Sequence, residues 1–286
     1  IKGQFIYAKP NFNYSDNTLF TSLKSSTTDL LTNSGYKTSE IGFSLGTEFE
    51  QFQNIFLSPE IDFLIEDLET SSKASNTLKK QEGSYTDLYF NYSINQDLRD
   101  KRFRTESGYQ TFFTQELPII SDNSELANAF EISKFKKLST RSDTVGKISF
   151  YAKTITGLSD DVRVSKRLNV PSSKLRGFEK GKVGPVDNKD FVGGNHVTAL
   201  NLSATLPNII EGLDNLDVGV FLDAANVWGV DYDSSLDDKS TIRTSTGVAF
   251  NLLTPIGPLS FSFANALTKA SSDKTETFRF RLGTQF

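Results

Sequence analysis

Apolar and polar positions alternate with period two along most of this chain. The clearest case is 278–286, where Phe278, Phe280, Leu282, Thr284 and Phe286 fall on one face and Arg279, Arg281, Gly283 and Gln285 on the other. Successive strand side chains point to opposite faces, so this reads as an extended strand, greasy on one side and charged on the other. The alternation recurs upstream. Leu259, Phe261 and Phe263 oppose Ser260 and Ser262, and Val218, Val220 and Leu222 oppose Asp217, Gly219, Phe221 and Asp223. Ile148, Phe150 and Ala152 oppose Lys147, Ser149, Tyr151 and Lys153; Leu88, Phe90, Tyr92 and Ile94 oppose Asp87, Tyr89, Asn91 and Ser93; Ile41, Phe43 and Leu45 oppose Gly42, Ser44 and Gly46.

With its turn signals, the pattern predicts about 13 strands, over 1–10, 17–28, 37–50, 53–69, 84–96, 103–117, 127–140, 144–157, 195–206, 215–224, 241–253, 257–268 and 275–286. No amphipathic helix supplies a second layer for the apolar faces. No stretch approaches the roughly 18 consecutive apolar residues of a transmembrane helix. The other structure that spans a bilayer is a closed barrel, signalled by alternating segments of about 10 residues. The predicted fold is therefore all-β, a transmembrane antiparallel β-barrel occupying 1–286. Thr254-Pro255-Ile256-Gly257-Pro258 and Glu50-Gln51-Phe52 are tight turns, whereas 70–84 and 229–240 are longer and polar. Such asymmetry is that of periplasmic turns and external loops. The longest gap, 158–194, is too long for a structureless connection and reads as a functional loop.

Composition narrows the chemistry. The 31 basic and 35 acidic residues give a net charge of -4, with no nucleic-acid footprint. Absence of Cys excludes a disulfide framework and thiolate metal sites. Absence of Met marks Ile1 as the expected start of a fragment or processed product. His196 is the one histidine, which fits a polar lumen or rim residue better than a metal ligand. Asp160-Asp161 and Asp237-Asp238 are adjacent, so on strands they point apart and do not form an acid/base couple. Gly193-Gly194 is too short for a phosphate cradle. The expectation is a protein with no catalytic residues, no metal and no cofactor, and hence not an enzyme.

The long loop contains Leu175-Arg176-Gly177-Phe178, which matches the (V/L)RG(F/Y) motif of the BamA-type outer-membrane insertase superfamily. Further resemblances follow in order: Gly193-Gly194-Asn195, Asp223-Ala224-Ala225-Asn226-Val227-Trp228, Arg243-Thr244-Ser245-Thr246-Gly247-Val248-Ala249, Thr254-Pro255-Ile256-Gly257-Pro258-Leu259, and a final strand similar to the family's C-terminal β-signal. The strong resemblance covers 172–286. Upstream, spacing and pattern fit, and Pro10-Asn11-Phe12 is similar to a family hairpin.

The resemblance implies a barrel of about 16 strands, with Ile1 in the fourth, so that three strands and the preceding POTRA domains are expected outside this sequence. It implies that 158–194 folds into the lumen and is locked there by Arg176, Gly177 and Phe178. A guanidinium in that position needs a carboxylate partner, for which Asp223 and Asp238 are the candidates; Ser203 stands at a further position where the family is acidic. On pattern alone, Arg176 also suits a solvated loop residue. The last strand, with Phe278, Phe280, Leu282, Gly283 and Phe286, is implied to be a recognition tag, or also one side of an opening seam. An exposed edge templates another strand, and Gly283 would weaken this one near its end. The implied function is folding and inserting β-barrel proteins into the outer membrane. Implied partners are nascent outer-membrane β-barrel proteins, outer-membrane lipids and, through the POTRA domains, accessory lipoproteins. A secretion pore of the same superfamily, of the two-partner type, remains open, as does an ordinary porin.

Overall fold

The computed structural model describes residues 1–139, 143–207, 212, 215–237, 239–254 and 257–282. Eight strands lead up to the long loop: β1 (Lys2–Lys9), β2 (Thr18–Leu30), β3 (Tyr36–Phe52), β4 (Ile55–Thr70), β5 (Gly83–Asp97), β6 (Gly108–Ser121), β7 (Glu125–Lys137) and β8 (Val145–Gly157). The loop carries a small hairpin, β9 (Val186–Asp187) and β10 (Asp190–Phe191). After it come β11 (His196–Pro207), β12 (Leu216–Trp228), β13 (Arg243–Thr254), β14 (Gly257–Thr268) and β15 (Phe278–Leu282). All but the hairpin belong to one 13-stranded sheet, in which each strand pairs antiparallel with the next and β8 pairs with β11. Each of the predicted strands is thus present in the sheet.

Residues opposite one another share a face, so the register tiles the sheet into an apolar and a polar surface. Phe43 lies opposite Leu23 and Phe63, and all three are exposed. One step along, Ser44 lies opposite Ser22 and Asp62 on the other surface, where the Ser22 and Ser44 hydroxyls hydrogen-bond at 2.8 Å. Phe280 and Phe278 continue the apolar surface beside Phe261 and Phe263, with ring centroids 5.1 and 5.0 Å apart.

The buried apolar core is made by the loop on the polar surface. Val162, Leu168, Val170, Leu175, Phe178 and Val183 pack on Ala127, Val197, Ala199, Ala225 and Val227, where small inward residues make room. A second cluster joins Val164 and Val192 to Tyr36, Leu68 and Leu78. One loop therefore touches strands from β3 to β15, which requires the sheet to curl around it. Gly193-Gly194 allows this docking: a Cβ on Gly194 would lie 2.5 Å from the Trp228 carbonyl oxygen, and Gly193 has φ 72°.

Most described strand boundaries lie within three residues of the predicted ones, and two strands differ by more. The strand expected over 103–117 runs Gly108–Ser121. Its start is delayed because the Asp100 carboxylate accepts the amides of Glu106 and Ser107 and holds them in a turn. It continues past Pro118 because a bulge at Leu88/Tyr89 absorbs the missing donor. The strand expected over 215–224 runs on to Trp228, paired to β11 throughout.

Candidate functional site

The loop is fastened to the inner surface by arginines. Arg176 donates from Nε to Asp223 Oδ2 at 2.7 Å and from Nη2 to Asp223 Oδ1 at 2.6 Å. Its backbone amide also donates to Asp223 Oδ2, at 3.1 Å. Asp223 is fully buried on the inward face of β12, and the Asn201 amide on β11 supplies another donor at 2.9 Å. The guanidinium stacks over the Phe221 ring at 3.4 Å. A bidentate carboxylate fork and an aromatic face are what a planar guanidinium satisfies and an ammonium does not.

The two residues after Arg176 complete the fastening. Gly177 has φ 85°, and a Cβ there would meet Ala264 and Ser245 Cβ at 3.2 and 3.3 Å. Its conformation turns Phe178 into the core, where it is 2% exposed. Phe178 then forms a bridge with Thr275, in the connection before β15, and Gly177 accepts the Glu276 amide at 3.1 Å. Arg279 on β15 donates to the carbonyls of Ser172 and Phe178, and Arg281 donates to Ser172. The charged face of the last strand is thus a second set of fastenings for the loop.

Further clasps lie upstream. Arg163 is fully buried, donating to Asp87 Oδ2 at 2.6 Å and to Glu125 Oε2 at 3.3 Å, over the Tyr85 ring. Arg167 donates to Asp231 and, at 2.9 Å, to Asn195 Oδ1. Burial pushes the Asp231 carboxyl up, but Arg167, the Val162 amide and Asn195 outweigh it and hold it below the ordinary carboxylate range. Arg243 on β13 binds Asp273 at 2.9 Å, and Asp273 accepts the loop amide of Gly184 at 3.2 Å. Asp187 in the loop hairpin accepts from Ser75 and Tyr232, at 2.5 and 3.0 Å. At the opposite end, Arg104 in the β5–β6 connection pairs with Asp223's strand-mate Asp217 at 2.9 Å.

Of the residues expected at the lock, the structure brings Arg176, Gly177, Phe178 and Asp223 together. Asp238 lies outside the described residues, as do Gly283 and Phe286 of the last strand. Phe278, Phe280 and Leu282 are exposed on the apolar face, and among the described residues β15 pairs on one side only, with β14. Arg163, Arg167, Arg279 and Arg281 were not indicated as loop anchors by the motif. The available signal was an excess of cations in the loop opposite inward carboxylates on β4, β5 and β7. His196 sits at the start of β11 with its ring 5.5 Å from Trp228.

A family model described as the Omp85 superfamily domain matches residues 2–286. BamA of Neisseria meningitidis serogroup B, named an outer membrane protein assembly factor, is 33% identical over 141 residues, covering 39% of this chain and 17% of that protein. BamA of Neorickettsia risticii, of the same description, is 25% identical over 218 residues, covering 74% of this chain and 29% of that protein. The chain thus spans less than a third of either relative. The crystal structure of BamA from Haemophilus ducreyi lacking POTRA domains 1–3 matches with a TM-score of 0.85 at 21% identity, over 98% of this chain and 61% of that one. That likeness establishes the fold, and with the curled antiparallel meander it makes this chain a β-barrel.

Proposed function

This chain belongs to the Omp85 superfamily, and on that premise we propose that it is the membrane-spanning part of an outer-membrane protein assembly factor of the BamA type. It resides in the outer membrane and folds β-barrel proteins into that membrane through a lateral seam, of which β15 is one side. The observation that carries this reading is the alignment of 74% of the chain to a protein of that description.

The physical basis is strand templating. An unpaired strand edge presents a row of N–H and C=O groups that an incoming strand can satisfy. Among the described residues β15 pairs with β14 alone, from Phe263↔Phe278 to Leu259↔Leu282, and its other edge is the side of the seam proposed here. The driving force comes from the substrate, which buries its apolar face in lipid and completes its own ladder. No nucleotide, metal or covalent intermediate is needed, and the protein acts without enzyme chemistry. The loop held by Arg176 fills the lumen, so that strands are offered at the wall rather than through a pore. Nascent outer-membrane β-barrel proteins are the substrates, and accessory lipoproteins engage POTRA domains outside this chain.

Conditional depletion of the full-length protein in its host, followed by quantitation of the outer-membrane proteome, tests this. A general fall in β-barrel proteins is expected. Loss of a single secreted protein, with the barrels intact, would overturn the proposal in favour of a secretion pore.

A further inference from the structure

The apolar outer surface is not uniform. On β7, β8, β11 and β12 the register lays out a row Lys136–Gly146–Ala204–Val220, and beside it a row Lys134–Ile148–Leu202–Leu222. Gly146 and Ala204 are small; Ile148, Leu202 and Leu222 stand out on one side, and on the other the Leu138 side chain folds over Gly146, within 2.9 Å of a Cβ placed there. The result is a shallow groove of about 590 Å³ across the strands, floored by Ala204, walled by Leu138 over Gly146, and bordered by Lys134 and Lys136.

The two lysines are exposed on a face that is otherwise uncharged on β8, β11, β12 and β13. Among the described residues neither has an ion-pair partner, whereas Lys137, on the inner face, pairs with Asp143. Being two residues apart on one strand, they project to the same side about 7 Å apart. They lie next to the 138–144 connection, at the end of β8 opposite the long loop, which in this architecture is the periplasmic end. A cation on the lipid face is tolerated near the interface and strongly disfavoured at the midplane, so the pair marks headgroup level.

We infer that this groove binds an anionic glycerophospholipid of the periplasmic leaflet, with the phosphate held by Lys134 and Lys136 and an acyl chain lying over Ala204, between Leu138 and Leu202. Charge complementarity selects the headgroup, and the groove gives the chain a seat that a flat barrel wall lacks. Simple snorkelling of lysines to the interface would give neither a fixed site nor dependence on the groove floor.

The test uses the full-length protein reconstituted in vesicles of equal parts phosphatidylethanolamine and phosphatidylglycerol, or in phosphatidylcholine alone, then extracted for native mass spectrometry. Phosphatidylglycerol is expected to be retained and phosphatidylcholine not. The double variant Lys134→Gln/Lys136→Gln should lower retention by roughly tenfold or more, the order set by two interfacial lysines. Ala204→Phe keeps both lysines and fills the floor with apolar surface at a lipid-facing position; it should lower retention independently. Lys9→Gln, an outward lysine at the same end but off the groove, should leave it unchanged. Equal retention of the two lipids, or full retention in either groove variant, would overturn the inference.

Discussion

Replacing Arg176 by alanine removes two side-chain hydrogen bonds to Asp223 and the stack on Phe221. Asp223 is fully buried, so it is left as a charge in a low-dielectric site. Breaking a buried pair from one side costs about 3–5 kcal/mol. Here Asp223 keeps the Asn201 amide at 2.9 Å and the backbone amide of residue 176 at 3.1 Å. The lower end, about 3 kcal/mol, is therefore expected, which raises the opening constant of the loop about a hundredfold. Hydrogen exchange followed by mass spectrometry reads this at the amides of Glu179 and Glu276, which bond to Lys274 and Gly177 across the loop contact. Deprotection there should not extend to β2–β4. Arg176→Lys should fall between, since it keeps the charge but loses the fork and the stack. Exchange within about threefold of the parent protein, or equal deprotection of β2–β4, would refute the lock.

The other expectations concern the same fastenings. Gly177→Ala places a Cβ at φ 85° against Ala264 and Ser245; the strain of about 1–2 kcal/mol should loosen the loop about tenfold in the same exchange assay, while barrel melting changes little. Arg163→Met strands Asp87 and Glu125 and should lower thermal stability by about 3–5 kcal/mol, largely restored when Asp87→Asn and Glu125→Gln are added; equal melting of the single and triple variants would contradict this. Arg279→Gln and Arg176→Ala should be non-additive by about 0.5–3 kcal/mol, because both hold one loop, and strict additivity would show them to be independent. Asp231 is held below its ordinary value of 3.8, so its clasp on Arg167 stabilises the folded state above that value and is lost as pH falls through the lower folded value. Loop protection near Val162 should accordingly persist at pH 5 and fail only below about pH 3.8; failure nearer pH 6 would rule out this carboxylate as the cause.

The strands were legible because lipid on one side and a polar interior on the other impose period two on every segment. Boundaries depart from the pattern where local contacts intervene: the turn held by Asp100 delays the strand to Gly108, and the bulge beside Pro118 lets it run on to Ser121. Arg176, Gly177, Phe178 and Asp223 were found because an ordered set of motifs surrounds them. Periodicity placed Asp87 on the polar face, yet nothing local told which cation would reach it. Its partner Arg163 is 76 residues away, and that of Arg167 is 64 away. Pairings across a barrel are set by how the loop threads the lumen, which the alternation of the strands does not encode. The arginines of β15 were read as merely inward-facing for the same reason: their partners are loop carbonyls, which carry no sequence signal.

The central claim is that a loop locked by Arg176 serves a barrel that assembles other barrels. It is tested most directly by replacing the host's own protein with the full-length Arg176→Ala variant and quantifying the outer-membrane proteome. The expected result is a fall in folded β-barrel proteins across the membrane at a normal level of the variant itself. Parental levels of all of them, or the loss of one secreted protein alone, would contradict the claim.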